Sequence, residues 1–556
     1  MTHPPSGSSG EQQGAFGAPY EPLPGAYGDP SPDRPRPGAH GHQGAYGHPR
    51  PQAPAGAYGQ QLPPTAPPGL PPPPGPGGGG RSGRRAAGLV AAVIAAALVV
   101  GAGVWFAAGG DAEDPGPVAA GPGTALPQSE EATDPKAQPS PGARELNEER
   151  REGEAPVRWI QRNGVDLPAG GASAFGPWTA GGLVAKALYR TASGYSLADG
   201  SRKWSLRLPA DVCAAPTLPT TDGKIVLGLR SDTTEEASCD RLQMIDLTTG
   251  KAGWTATFER AGTQDALSDI VMAVNGDVVT VGRTTLTDAY RISDGEHLWG
   301  ELPGACQPYG LTSGAVPLAA VDCREQPVDE AEQEVRRVDP ATGRTVWSYK
   351  VKKGWEVDQF YSVDPPVVSL RQSDKWAIAL LGDDGVLRAQ PDPGTDDYEA
   401  RCADDQRNEG GNLDNCVGVA ADSDTLYLAT KAAPVDKEPT NAVVAFDMGT
   451  GKRKWKVPAP AAQTLMPLRV EDGNVLMYLS PPAPGGGGGG IMALGPQGGG
   501  LRPVLRHPAS AATVERTFHE PLVQYADGRS LLMHAYVTGP TDEEEITLRT
   551  MIAFGD

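Results

Sequence analysis

An all-β propeller of eight blades, with seven as the alternative count, is the fold this sequence predicts, preceded by one transmembrane helix and a disordered N-terminal tail. Three observations carry the prediction. A turn followed by tryptophan is written five times, as SLADGSRKW, IDLTTGKAGW, RISDGEHLW, VDPATGRTVW and FDMGTGKRKW, ending at Trp204, Trp254, Trp299, Trp347 and Trp455. Around these copies lie short alternating or β-branched runs, such as KIVLGL, DVVTVG, DTLYLAT and NVLMYL, punctuated by Gly, Asp and Asn. That grammar belongs to strands and hairpins, and helical periodicity is nearly absent. Finally, successive tryptophans lie 50, 45, 48 and 108 residues apart, the last gap being two periods. Strand-built repeats of roughly 40–50 residues stack radially as blades.

The tail, 1–85, is low in complexity: GAFG at 14–17 returns as GAYG at 25–28, 44–47 and 56–59 between proline-rich stretches. Such a segment buries too little apolar surface to offset its chain entropy. Its aromatics, Phe16, Tyr27, Tyr46 and Tyr58, are candidate adhesive points for cytosolic partners. Residues 86–108, AAGLVAAVIAAALVVGAGVWFAA, carry no charge, and about 20 apolar residues span a bilayer as a helix. Arg81, Arg84 and Arg85 precede the run, while Asp111, Glu113 and Asp114 follow it. The positive-inside rule therefore predicts a single-pass protein of the cell membrane, its N-terminus cytoplasmic and its propeller extracellular. Residues 109–154 read as an extended extracellular linker with a short helical piece at ARELNEERREGE, and 155–556 as the propeller.

Within each repeat the acidic residue and the glycine make a tight hairpin turn. The Trp four residues after the Gly sits on the next strand, where a large flat ring suits a dock between blades. Hairpin units start near 182, 224, 277, 315, 366, 425, 475 and 530. Degenerate copies stand at LLGDDGVLRAQ, where Ala389 occupies the Trp position, and at IMALGPQGGGLRPV. The chain stops at MIAFGD, where a Gly-to-Trp strand would follow. PVRWIQRNG, at 156–164 with Trp159, is the candidate to supply that strand and close the ring, which removes exposed sheet edges.

KIVLGL…LQMIDLTTGKAGW and DTLYLAT…AVVAFDMGTGKRKW resemble the repeats of quinoprotein-type (PQQ-like) propellers, shared with BamB-type proteins. The likeness spans 155–556, and the layout of tail, anchor and propeller is similar to membrane proteins of actinobacterial type. The resemblance raises a quinone-dependent dehydrogenase as one alternative. Those enzymes hold the quinone with adjacent cysteines, a Trp platform and a Ca²⁺ bound by Asp, Asn and Glu. No two cysteines are adjacent here, so no residue is assigned to catalysis or to a cofactor, and none to a metal.

The six cysteines, Cys213, Cys239, Cys306, Cys323, Cys402 and Cys416, all follow the anchor and fall into three local couples, so sequential disulfides are the economical expectation. None forms a CxxC. His297, His507, His519 and His534 make no metal or protease spacing and read as scattered surface residues. The acidic loop 391–416 offers Asp396, Asp397, Asp404, Asp405, Asn412 and Asp414 as hard oxygen ligands. It lacks the EF-hand spacing, so it reads as a solvated loop, with a weak Ca²⁺ site as the alternative. A net charge of −20 disfavours nucleic acid. The expectation is a non-catalytic, monomeric binding scaffold for an envelope protein or cell-surface ligand. An envelope sensor signalling through the tail is the remaining alternative.

Overall fold

A computed structural model describes residues 142–556 apart from 235–236, 263–264, 266, 269, 284–285, 327–328, 403–410, 436–437 and 483–485. The predicted tail 1–85, the predicted transmembrane helix 86–108 and most of the predicted linker lie outside the described residues. Among the described residues no helix is long and apolar enough to cross a membrane.

Eight antiparallel sheets form eight blades. Blades 1 to 7 occupy 172–207, 212–257, 271–299, 307–350, 356–389, 419–458 and 465–506, each with four strands in chain order, and in blade 1 the short strand Tyr536–Val537 adds a fifth beside Ala172–Ala180. Blade 8 is composite. Leu522–Ala526, Arg529–Met533 and Arg549–Gly555 come from the C-terminus, and Val157–Arg162 completes it as outermost strand. The ring therefore closes through the segment around Trp159, and the eight hairpin starts read from the sequence fall on second strands (224, 366, 425, 475 and 530) or up to three residues before them (182, 277 and 315).

The recurrent Trp and Gly build the seams. Trp204 of blade 1 lies on Gly250 of blade 2, Trp254 on Gly295, Trp299 on Gly343, Trp347 on Gly385, and Trp455 on Gly498; Trp159 lies on Gly200. Five of these indoles donate Nε1–H to a backbone carbonyl in the turn they cover: Trp204 to Leu247 (2.8 Å), Trp254 to Ile292 (2.6 Å), Trp299 to Pro340 (2.8 Å), Trp455 to Pro496 (2.9 Å) and Trp159 to Leu197 (3.1 Å). A Trp thus packs not on the Gly four residues before it but on the equivalent Gly one blade on. Between the rings, interleaved Val, Leu, Ile and Ala from the two middle strands make the apolar seams.

The predicted linker 109–154 is described only from Gly142, and its helical piece is there as Ala143–Glu148. From Gly142 the chain already packs on the ring: Ala143 is fully buried in the helix Ala143–Glu148, in the cluster formed where blades 7 and 8 meet. The Asn147 amide donates to Val157 O and accepts from Val157 N–H, both at 2.8 Å. A polar, charged segment is held here by two apolar side chains, Ala143 and Leu146, and a few hydrogen bonds, too little to register as periodicity.

Candidate functional site

First strands begin and second strands end at the same edge of a blade, and all three disulfides lie along that edge. Cys213–Cys239 ties blade 2's first strand to its third, Cys306–Cys323 ties the entry of blade 4's first strand to the exit of its second, and Cys402–Cys416 clips the loop between blades 5 and 6. The Gly–Trp turns occupy the opposite face. Replacing Cys213 and Cys239 together by Ser opens a loop of 26 residues. It is expected to lower stability by about 3 kcal/mol, read as a fall in the denaturant midpoint; an unchanged midpoint would contradict it.

The clipped loop does not stay at the surface. The Asn412 amide donates to Ala215 O of blade 2 (2.8 Å) and accepts from Met272 N–H of blade 3 (2.9 Å). The Asp414 carboxylate accepts from Thr217 Oγ1 of blade 2 (2.8 Å) and from Ser313 N–H of blade 4 (2.5 Å). Leu413 O accepts from Phe360 N–H of blade 5 (2.6 Å), and the Leu413 side chain packs over Gly310. Three consecutive residues that bond to four blades occupy the place where the inner strands converge. The reading of this loop as solvated is therefore corrected at Asn412 and Asp414. Its polar side chains enter the channel because inner-strand backbone groups there require partners.

The described members of the candidate Ca²⁺ set are not gathered in one place. Both Asp414 oxygens are engaged, Asp396 is ion-paired with Arg453 and Lys456, Asp397 is exposed, and Asp404 and Asp405 lie outside the described residues. Among the described residues the one gathering of metal-type donors is Cys306, Cys323 and Glu334, whose sulfurs are tied in a disulfide. Beside Asn412 and Asn415 lies a cavity of about 60 Å³ lined by Phe175, Trp178 and Thr217, small against the roughly 300–1,000 Å³ of small-molecule sites.

Burial raises the Asp414 carboxyl from 3.8 to about 6, against the hydrogen bonds from Ser313 and Thr217 that pull it down. The native chain then holds a proton to higher pH than the unfolded chain. This carboxyl's contribution to stability is expected to fall by roughly 3 kcal/mol as pH rises from about 4 to about 6, whereas His534, whose pKa burial lowers to about 4, contributes a rise over much the same window. Asp414→Asn removes only the falling part, so its denaturant midpoints should climb more with pH across the window than the parent's; a variant with the parent's slope would contradict the assignment.

Among the described residues a wide opening lies on the disulfide face between blades 5 and 6. This cleft of about 640 Å³ is bounded by Asp358, Arg371, Trp376, Asp397, Tyr398 and Arg401. Its wall is aromatic, with Trp376 and Tyr398 centroids 6.3 Å apart and Phe446 5.8 Å beyond Tyr398. Its rim is charged with both signs, as binding surfaces commonly are.

Two of the histidines read as surface residues are buried. His507, 1% exposed, donates Nδ1–H to Glu515 Oε1 (2.7 Å), and its Nε2 lies 2.6 Å from Ser530 Oγ. Tyr478 donates to the same Glu515 oxygen (2.9 Å), and Phe554 stacks on the imidazole at 3.8 Å. The atom order matches a Ser–His–carboxylate relay, but His507 and Glu515 side chains are both fully buried. The network joins blade 7 to blade 8, where no Trp dock stands. His534, 9% exposed, stacks on Phe518 at 4.5 Å, and burial lowers its pKa to about 4. Nearby, Lys186 is buried between blades 1 and 8, donates to Thr550 Oγ1 (2.7 Å) and has its pKa lowered by burial to about 7. His297 and His519 are exposed. No sequence period marks any of these positions.

The chain is similar in structure to BamB from Moraxella catarrhalis, with 16% identity over 69% of this chain and 99% of that one and a TM-score of 0.36. It is also similar to the quinohemoprotein alcohol dehydrogenase of Comamonas testosteroni, with 12% identity over 72% and 76% and a TM-score of 0.40. The quinohemoprotein alcohol dehydrogenase ADHIIG of Pseudomonas putida HK5 gives 11% over 72% and 76%, with 0.38. No curated protein matches the chain. The model of the family described as outer membrane protein assembly factor BamB matches residues 152–309 and 331–524. With its repeats, its docks and its closed ring, the chain belongs to that family of PQQ-like propellers.

Proposed function

We propose that this chain is a non-catalytic, membrane-anchored propeller displayed outside the cell, which binds a protein or ligand of the envelope through the disulfide-clipped loops of one face. One observation carries the reading: Asn412–Asp414 occupy the channel and bond to four blades, so the place where a propeller enzyme would hold a cofactor is taken by the chain itself. The cleft between blades 5 and 6 opens on the same face and is large enough for a ligand or a peptide. Three disulfides favour an oxidising exterior, and the uncharged run at 86–108 supplies the anchor.

Titration of the full chain with pyrroloquinoline quinone and Ca²⁺, followed by absorbance and dye-linked alcohol oxidation, tests the non-catalytic half of this reading. Neither saturation nor turnover is expected. Saturable binding with turnover would overturn it and would require Asn412–Asp414 to leave the channel.

A further inference from the structure

Between its second and third strands, blade 8 sends a strap across to blade 1. The strap, His534–Val537, follows the end of a second strand and meets the start of a first strand, so it lies on the disulfide face. Ala535 O accepts from Ala174 N–H (2.8 Å), and Tyr536 and Val537 stand opposite Ser173 and Ala172 in a short antiparallel ladder. The Tyr536 hydroxyl donates to Gly170 O. Gly171, at φ +83°, lets Val537 O approach where any Cβ would strike it. The last blade and the first are thus joined by backbone bonds as well as by packed side chains.

Where the strap leaves blade 8, two bases are buried together. His534 donates its backbone N–H to Thr550 O (3.1 Å), and Lys186, on the second strand of blade 1, donates to the hydroxyl of the same Thr550 (2.7 Å). Lys186 is 4% exposed, and His534 Nε2 is buried with no hydrogen-bond partner among the described residues. The charged groups that act on His534 are His519 and Lys186, both bases, and burial alone acts on Lys186. Tyr195, on the strand beside Lys186, is kept neutral by burial. Glu545, in the helix that follows the strap, is committed to Leu167 N–H (2.9 Å). A buried ammonium or imidazolium without a carboxylate is costly, and here each would also repel the other.

We propose that the strap His534–Val537 is a pH-sensitive latch, which pairs with blade 1 while Lys186 and His534 are neutral and opens from Ala172–Ala174 when they take up protons. The latch is independent of the binding role proposed above. Burial lowers Lys186 from 10.5 to about 7 and His534 from 6.5 to about 4, so both hold fewer protons in the latched chain than when exposed. The latched form therefore gains as pH rises from about 4 to about 6.5 and again from about 7 to about 10.5, and it loses on acidification. Opening turns His534 and Lys186 toward water and frees the first residues of blade 1's inner strand on the disulfide face.

The test is hydrogen exchange of the full chain in detergent micelles, read by mass spectrometry at pH 7 and pH 8.5. In this window Asp414 and His534 have nearly finished titrating, and the lysine is read alone. Protection of the segment Ala172–Ala174, corrected for the intrinsic pH dependence of exchange, should rise at least about tenfold in the parent, within the ceiling of about tenfold per pH unit that one proton sets. In Lys186→Met it should start higher than in the parent and stay level. Lys186→Gln keeps a donor for Thr550 without a charge; it should behave as Lys186→Met does, and it carries the test where Met disturbs folding. The segment Leu426–Ala429 of blade 6 should stay level in all three chains. Level protection of Ala172–Ala174 in the parent, a rise that survives in both variants, or an equal rise in blade 6 overturns the latch.

Discussion

Deletion of Val157–Arg162 is expected to leave no folded monomer. Val157, Trp159 and Ile160 are buried at 1%, 0% and 7% exposure, and the strand is the sole outer cover of Arg549–Gly555. Restoring three such side chains to water costs on the order of 6 kcal/mol, against a usual domain stability of about 5–15 kcal/mol. The deletion also removes the indole that sits on the Gly200 turn of blade 1 and exposes an apolar sheet edge, a template for association. Size-exclusion chromatography and thermal melting of the deleted chain should show oligomers or aggregate and no cooperative monomer transition. A monomer with the parent's melting temperature would mean that the ring does not depend on its N-terminal latch.

Gly250→Ala is expected to cost about 3–4 kcal/mol, and Gly473→Ala only about 1. The two glycines share a backbone conformation, φ +71° and +70°, so the strain of adding a Cβ is common to both. Their surroundings differ. At Gly473 the new carbon meets nothing within 4 Å, whereas at Gly250 it lies 2.5 Å from Trp204 Cγ. The indole would have to leave a site where it is 4% exposed and donates to Leu247 O. Denaturant midpoints of the two variants separate these cases. Equal losses would show that turn geometry alone, and not the dock, requires glycine.

The seams of the fold were legible because they repeat. Turn, glycine and tryptophan recur with a period, and a period of that length built from strands has few other solutions. Even the closing strand could be read, since the outer strand of the eighth hairpin unit did not follow MIAFGD and Trp159 stood unassigned near the start of the propeller. The candidate site does not repeat. Asn412, Leu413 and Asp414 belong to a loop whose polar and acidic composition reads as solvated. Only the convergence of four inner strands, each with backbone groups to satisfy, draws these residues inside. His507 and Lys186 are single polar residues buried by neighbours hundreds of positions away or by a local helix, and no window of sequence holds that information. The short outer strand of blade 5 lies between the two cases. Ala389 in the Trp position and the prolines after it were visible, yet their consequence needed the ladder to show where pairing stops.

The most direct measurement places a photo-crosslinking amino acid at Ser373 and Asp397 on the disulfide face, and at Thr248 and Ala341 in the turns of the opposite face, in the full chain within its own cells. All four positions are exposed. The expected result is discrete crosslinked species of defined mass from Ser373 and Asp397, and none from Thr248 or Ala341. Crosslinks confined to the turn face, or none from any position, would contradict a binding role for the disulfide-clipped loops.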